Sequence, residues 1–459
     1  MDPKDYMGLT GNSKRKKLLI ITSSGGGGHV QAAKAEAVKA MSEDPLIEII
    51  EKDLLIDLVS KRFGKGFVFL WNASQKRGNI RFLMLLLKNI PTADFLFGTF
   101  IFTRILFTLL KEGIDRIIDT QPIGTAATIK AIKIARKLTG KPLVLEKIVT
   151  ELPTDNVIHF FKPIKKLSAN NRKVLKLIST TPLLKNDETP EGFWQTNCKL
   201  SEREVEYKDF PLRPAFERFK SSKHFSLQRI PIKIKVNSAE EKFLISDTIK
   251  KGTIPSEIYR DKIVITIEPS DKVSTILLGS QPTEEATIKY VKNYISLMKQ
   301  VESYERHLLF VFCNAHIEYK NSLLKKVHNL IQKTAQFPHT LNVIPMCFQS
   351  DEVIAPLYYR SNATFTRSGG LTAMELMTVA QGQIWIHSET RHVTNDGVKL
   401  ERGMPIWERG NAAYLKEMKG ARFITPETFI EGCLPYFFPQ KREDRHQMSA
   451  LMSPSQSWA

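Results

Sequence analysis

The stretch Leu18–Met41 leaves a chain few ways to fold. Apolar residues Leu18 to Ile21 give way at Thr22-Ser23-Ser24 to Gly25, Gly26, Gly27 and Gly28. From His29 onward, Val30, Ala33, Ala37, Val38 and Met41 fall on one helical stripe. The segment predicts a strand, a glycine turn and a helix. A helix start carries unpaired N–H groups and partial positive charge, so it suits an anion or an oxygen gaining negative charge. Glycines let a substrate approach the backbone closely. His29 is the first side chain past them that can move a proton near pH 7. No Gly-Lys-Ser/Thr comes after it, so this is not a P-loop, and the third glycine of a dinucleotide fingerprint would fall on Val30 or Gln31. A tight turn with a locally hydrogen-bonded histidine would leave the same local pattern.

The alternation continues. Ile47–Leu55, Ile117-Ile118, Pro142–Leu145 and Val174–Thr180 read as strands, and Ala126–Leu138 as a basic amphipathic helix. Asp53 either serves a ligand or caps the next element. Thr150–Asp155 is a polar turn at a strand's carboxyl end, where open α/β sheets place ligands. Strands alternating with helices imply a doubly wound, largely parallel sheet. Residues 183–260 are the least regular and hold the join between domains. Arg260–Gln440 restarts the alternation and reaches a second strand, glycine turn and helix at Thr366–Leu376. At 459 residues the chain exceeds one ordinary domain.

The charge of +19 implies attraction to anionic surfaces. Nucleic-acid binding would rest on that charge alone, since no motif supports it. Cys198, Cys313, Cys347 and Cys433 are scattered, which fits a reducing compartment and argues against a zinc site. The N-terminus lacks the pattern of a signal peptide. Residues 66–113 are rich in Phe and Leu with flanking Lys and Arg. No run there reaches the ~18–20 uncharged apolar residues that cross a bilayer. The stretch reads either as an element lying in a membrane interface or as helices buried against the sheet.

Six segments occur in a telling order: SSGGGGHVQAAKA at 23–35, DTQPIGTAA at 119–127, VTELPT at 149–154, ILLGS at 276–280, TRSGGLTAMEL at 366–376 and ERGNAAYL at 408–415. Together they resemble GT-B glycosyltransferases of the group holding the lipid-linked muramyl-peptide N-acetylglucosaminyltransferase. They are still more similar to monogalactosyldiacylglycerol synthases and bacterial diacylglycerol glucosyltransferases. The resemblance implies two Rossmann-like α/β domains facing a central cleft. It implies residues 1–215 as an acceptor domain with a membrane-associating segment at 66–113, and 216–259 as linker or insertion. Residues 260–440 would form a nucleotide-sugar domain, and 441–459 a tail.

The activity implied is inverting transfer of a hexose from a UDP-sugar to a lipid such as diacylglycerol, on the inner face of a membrane. His29 would be the base. Gly25, Gly26, Gly27, Gly28, Gln121 and Glu151 would line the acceptor side. Gly279 and Ser280 would lie under the nucleotide. Arg367, Ser368 and the turn Gly369-Gly370-Leu371-Thr372 would meet the diphosphate. Glu375, in the first turn of the following helix, would bind ribose. Glu408 and Asn411 would lie by the sugar. No metal or further cofactor is implied. The helix dipole alone would account for Glu375, a helix start for Glu408 and Asn411, and solvation for Arg367. Trp407-Glu408 stands where relatives carry Gln-Glu, and Gln381–Pro405, with His387, His392 and Asp396, is longer than their connection. A protein or soluble acceptor, or non-catalytic nucleotide-sugar binding, are the alternatives.

Overall fold

The computed structural model describes residues 15–24, 27–210, 212–220, 229–279, 282–301, 303–313, 322–390, 394 and 396–438. They divide into two compact units. The first draws on residues up to Trp71 and on Leu85–Arg213. The second draws on Asn72–Met84 and on residues from Pro214 onward.

The first unit holds strands β1 (Lys17–Thr22), β2 (Glu48–Asp53), β3 (Arg116–Asp119), β4 (Leu145–Ile148), β5 (Leu175–Ser179) and β6 (Val205–Tyr207). They pair in the order β2-β1-β3-β4-β5-β6, every pair parallel. Near-continuous apolar runs such as Leu18–Ile21 suit a sheet covered on both faces. Alternate residues serve opposite sides. Leu18, Ile20, Ile118 and Ile148 cluster with Ala33, Ala37 and Ala40 of α1 (Gly27–Glu43). Leu19, Ile21 and Ile117 belong to a larger cluster with the helices of the other face.

Two of those helices matter below, and both come after α2 (Lys61–Lys76) and α3 (Ile80–Lys88). On α4 (Ile90–Glu112), Ile101, Ile105 and Leu109 recur every four residues and are buried. Its opposite edge shows Leu96, Phe100, Phe107 and Leu110 to solvent, and Phe95 is 86% exposed. The stretch 66–113 is therefore helical, with part of its apolar content in the core and part outside. No helix among the described residues is long and apolar enough to cross a membrane. Gly124 opens α5 (Thr125–Thr139) with a φ of 80°, a conformation that glycine adopts at little cost.

The second unit contains the parallel strands β10 (Lys272–Leu277), β11 (His307–Phe312), β12 (Leu341–Met346), β13 (Ala363–Thr366), β14 (Gln383–His387) and β15 (Arg422–Ile424). They come after a small sheet of β7 (Ile230–Lys235), β8 (Ser256–Ile258) and β9 (Lys262–Ile267). The large sheet runs β12-β11-β10-β13-β14-β15, and the small one is antiparallel in the order β7-β9-β8. Of the two readings of 216–259, linker or insertion, the described part is not an unstructured linker. It supplies β7, β8 and the helix Ala239–Ile249 to the second unit. The reason is a period of two: Ile230, Ile232 and Ile234 are buried while Pro231, Lys233 and Lys235 are exposed. Segment Asn72–Met84 also belongs here. Its Gly78, at φ 61°, lies so near Glu389 that an added Cβ would come within 2.7 Å of Oε2.

Candidate functional site

Each large sheet reverses its strand order once, between β1 and β3 in the first unit and between β10 and β13 in the second. Ligands of open α/β sheets bind outside the carboxyl ends of strands at such a reversal. All four of these strands lead into segments singled out from the sequence.

In the first unit, α1 begins at Gly27, with Gly28 and His29 next; Gly25 and Gly26 lie outside the described residues. Asp53 ties down the approach to the turn. Its Oδ2 accepts from both the N–H and the hydroxyl of Ser24 at 2.6 Å, and its Oδ1 caps the π-helical turn Leu54–Val59. Asp53 is accordingly a structural anchor. His29 is half-buried, and its Nδ1 lies 3.1 Å from Thr150 Oγ1. The Thr120 hydroxyl reaches the His29 carbonyl at 3.4 Å and that of Ile21 at 3.2 Å. Burial pushes the His29 pKa down to about 4. Hydrogen bonding to the Thr120 backbone raises it, and Lys147 lowers it. The imidazole is therefore neutral at ordinary pH, as a proton acceptor must be.

Gln121 and Glu151 are both buried close to this loop cluster in sequence. Gln121 donates its N–H to Asp119 Oδ1 at 2.8 Å, and its Nε2 has no partner among the described residues. Sequence reasoning missed the pair beneath them. Lys147 Nζ lies 2.7 Å from Asp119 Oδ2, with both side chains fully buried. The available signal was a lysine on the strand face it shares with Leu145 and Val149, with Glu146 on the other. A charge on such a face is buried only when paired.

In the second unit, Gly279 comes after β10 with a φ of 83°; Ser280 lies outside the described residues. Helix Gly370–Val379 starts straight after β13, with Gly369 as an N-cap that offers no side-chain hydrogen bond. Leu371 is buried and Thr372 half-buried. Glu375 is in the second turn of this helix, not the first, and is 1% exposed. The dipole account of this carboxylate weakens there, because that effect fades beyond the first turn.

Arg367 is no solvated surface residue. Its Nη2 and Nε meet Glu408 Oε1 and Oε2 at 2.8 and 3.2 Å, with both side chains buried. The two residues named as donor contacts spend their charges on each other. Ser368 donates its hydroxyl to the Glu408 carbonyl at 2.8 Å, and Asn411 Nδ2 donates to the Ser368 carbonyl at 2.7 Å. These contacts weld the approach of the glycine turn to helix Ile406–Lys419.

The long segment 381–405 holds one more acid, half-buried. Glu389 accepts from Thr283 Oγ1 at 2.6 Å and lies 3.4 Å from His387 Nε2. Burial alone would raise its pKa, but His387, Arg367 and Thr283 bring it down to about 2. His387 Nδ1 meets the Tyr290 hydroxyl at 2.8 Å, and Asp396 caps helix Gly397–Arg402; His392 lies outside the described residues.

The histidines predict an acid response. His29 and His159 are lowered to about 4 and about 3, chiefly by burial. As pH falls below about 6.5, the unfolded chain takes up protons that these buried rings refuse. Stability of the first unit is expected to be full above that pH and to decline toward pH 3. Thermal melts from pH 7.5 to 4 check the decline, and an NMR titration of the His29 ring should give a midpoint near 4. A midpoint of 6–7 would contradict the burial.

No family model and no curated protein matches the chain. Solved structures do. MurG of Acinetobacter baumannii is 13% identical over 93% of this chain and 92% of its own, at a TM-score of 0.44. A UGT transferase of Siraitia grosvenorii in complex with UDP is 10% identical over 95% and 94%, at 0.44. UDP-GlcNAc 2-epimerase of Neisseria meningitidis bound to UDP-GlcNAc is 12% identical over 88% and 91%, at 0.40. The doubly wound α/β fold of each unit rests on its own strand order and parallel registers.

Proposed function

We propose that the chain is an inverting glycosyltransferase that moves a hexose from a UDP-sugar to the hydroxyl of a lipid such as diacylglycerol. One observation carries this reading. Each strand-order reversal opens onto a helix start, one with a neutral imidazole in its first turn and the other a glycine turn without a side-chain cap. The second unit takes the donor. The first N–H groups of helix Gly370–Val379 meet the diphosphate, with Gly279 near the nucleotide and Glu375 kept as the ribose partner that the resemblance implies. Arg367 and Glu408 act indirectly, by fixing that turn.

The first unit supplies the base. His29 takes the acceptor's hydroxyl proton as its oxygen bonds to the anomeric carbon. The bond from that carbon to the diphosphate breaks, and its electron pair leaves on UDP. Attack opposite the leaving group inverts the centre. The scheme asks for no metal, since helix N–H groups meet the developing charge.

The lipid acceptor is supported by α4, whose Leu96, Phe100 and Phe107 lie exposed, as a helix resting on a lipid surface would have them. Lys111 lies over the Phe107 ring at 5.7 Å, and the chain's +19 charge suits an anionic surface. The reading puts the chain peripherally on the inner, cytoplasmic face of a membrane.

Incubation with a panel of labelled UDP-hexoses and diacylglycerol vesicles is expected to give a glycolipid. No lipid-linked label from any donor would overturn the reading. Phe95→Ser, Phe100→Ser and Phe107→Ser together should lower vesicle pelleting at least about tenfold, since burying one phenyl contributes about 1.5–3 kcal/mol. Undiminished pelleting of the folded variant would remove α4 as the contact.

A further inference from the structure

Asp94 is a carboxylate that the scheme above leaves unused. It lies in the second turn of α4, and its Oδ1 accepts the Gly124 N–H at 2.7 Å. Gly124, the N-cap of α5, has no side chain to cap the helix, and its own N–H is held by a residue of another helix. The second oxygen, Oδ2, has no hydrogen bond or ion pair among the described residues. Burial pushes the carboxyl above its ordinary range, an effect that Lys147 and Lys166 oppose and Asp119 reinforces.

The surroundings point to a ligand. Gln121 Nε2 and Thr125 Oγ1, on either side of Gly124 in the sequence, are buried donors without partners among the described residues. Thr120, just before Gln121, touches the His29 carbonyl, so this loop adjoins the base. Phe95, next to Asp94 in the sequence, is among the most exposed apolar residues of α4. One helix thus bears the outward aromatics and a half-free acid bonded to the loop that adjoins the base.

We propose that Asp94 belongs to the acceptor site and restricts it to an uncharged alcohol. Its Oδ2 accepts a hydrogen bond from an acceptor hydroxyl, while its charge denies the amino end of α5 to phosphate. The proposal rests on the glycosyl-transfer reading and deepens it by naming the acceptor class. An uncapped helix start draws phosphate. With a carboxylate already on the Gly124 N–H, a phosphate there would meet like charge in a partly desolvated place. A hydroxyl meets no such repulsion. It donates to Oδ2 and accepts from Gln121 or Thr125.

Asp94→Asn tests this, because it keeps an Oδ1 acceptor for Gly124 while removing the charge. Calorimetry on the full chain compares monomeric short-chain diacylglycerol with the matching phosphatidic acid, and needs no turnover. Attraction of phosphate to the basic surface is common to both proteins, so the ratio of the two affinities is the readout. That ratio is expected to shift about tenfold toward the phosphorylated ligand in Asp94→Asn. An unchanged ratio overturns the proposal. In transfer assays the variant should raise KM for diacylglycerol about tenfold and leave donor KM alone. Equal rises in both would make Asp94 merely structural and overturn it too. A binding shift in Asp94→Asn beside a wild-type protein that transfers nothing would refute the glycosyl-transfer reading and leave Asp94 in an alcohol-binding site.

Discussion

A His29→Ala variant is expected to lose about 10²–10⁴-fold in transfer rate, the usual contribution of a positioned general base. Affinity for UDP, which the proposed function assigns to the second unit, should change less than about twofold. The fold should tolerate the change. Alanine is the best helix former, and the lost contacts are one hydrogen bond to Thr150 and a ring contact with Phe160 at 6.0 Å between centroids. His29→Gln is a second variant, retaining polarity without a useful proton acceptor. Labelled-sugar transfer and UDP calorimetry on the same preparations separate chemistry from binding. Full transfer by either variant would remove His29 from the role of base.

Arg367→Met should destabilise the second unit by about 3–5 kcal/mol, because it leaves Glu408 buried without its cation. A second carboxylate would also suffer. Arg367 helps hold the Glu389 pKa near 2, and Glu389 therefore adds stability above about pH 4.5 that fades as pH falls toward 2. Without Arg367 that contribution shrinks. Arg367→Met combined with Glu408→Leu should recover most of the loss, since an apolar pair can replace a buried ion pair at little cost. Denaturant unfolding with and without UDP measures both. Were Arg367 a diphosphate contact instead, the single variant would raise donor KM and leave the unfolding midpoint in place.

The sequence made the repeating skeleton legible because parallel strands buried on both faces leave unbroken apolar runs, as in Leu18–Ile21 and Leu308–Phe312. Both glycine turns were legible because each ends a strand-like segment and restarts at helical spacing. Partnerships across long separations were not. Arg367 and Glu408 are 41 positions apart, and Lys147 and Asp119 are 28. A lysine within β4 signals that it needs a partner, but nothing local names the partner in either pair. The small antiparallel sheet did leave a mark, the alternating Ile-Pro-Ile-Lys-Ile-Lys of β7. It passed for irregular because proline and lysine surround it. Asp94 was hidden by its setting in an aromatic-rich stretch, and only the fold brings it to Gly124.

The assignment of Asn72–Met84 to the later half of the molecule bears on how the protein can be handled in pieces. A gene cut between codons 213 and 214 would not yield two self-sufficient products. The upstream fragment would carry a helical turn deprived of its native bed. The downstream one would lack the backbone that crowds Glu389, opening that acid to water. Complementation of the halves, or a circular permutant with new ends elsewhere, respects the interleaving; a simple truncation does not.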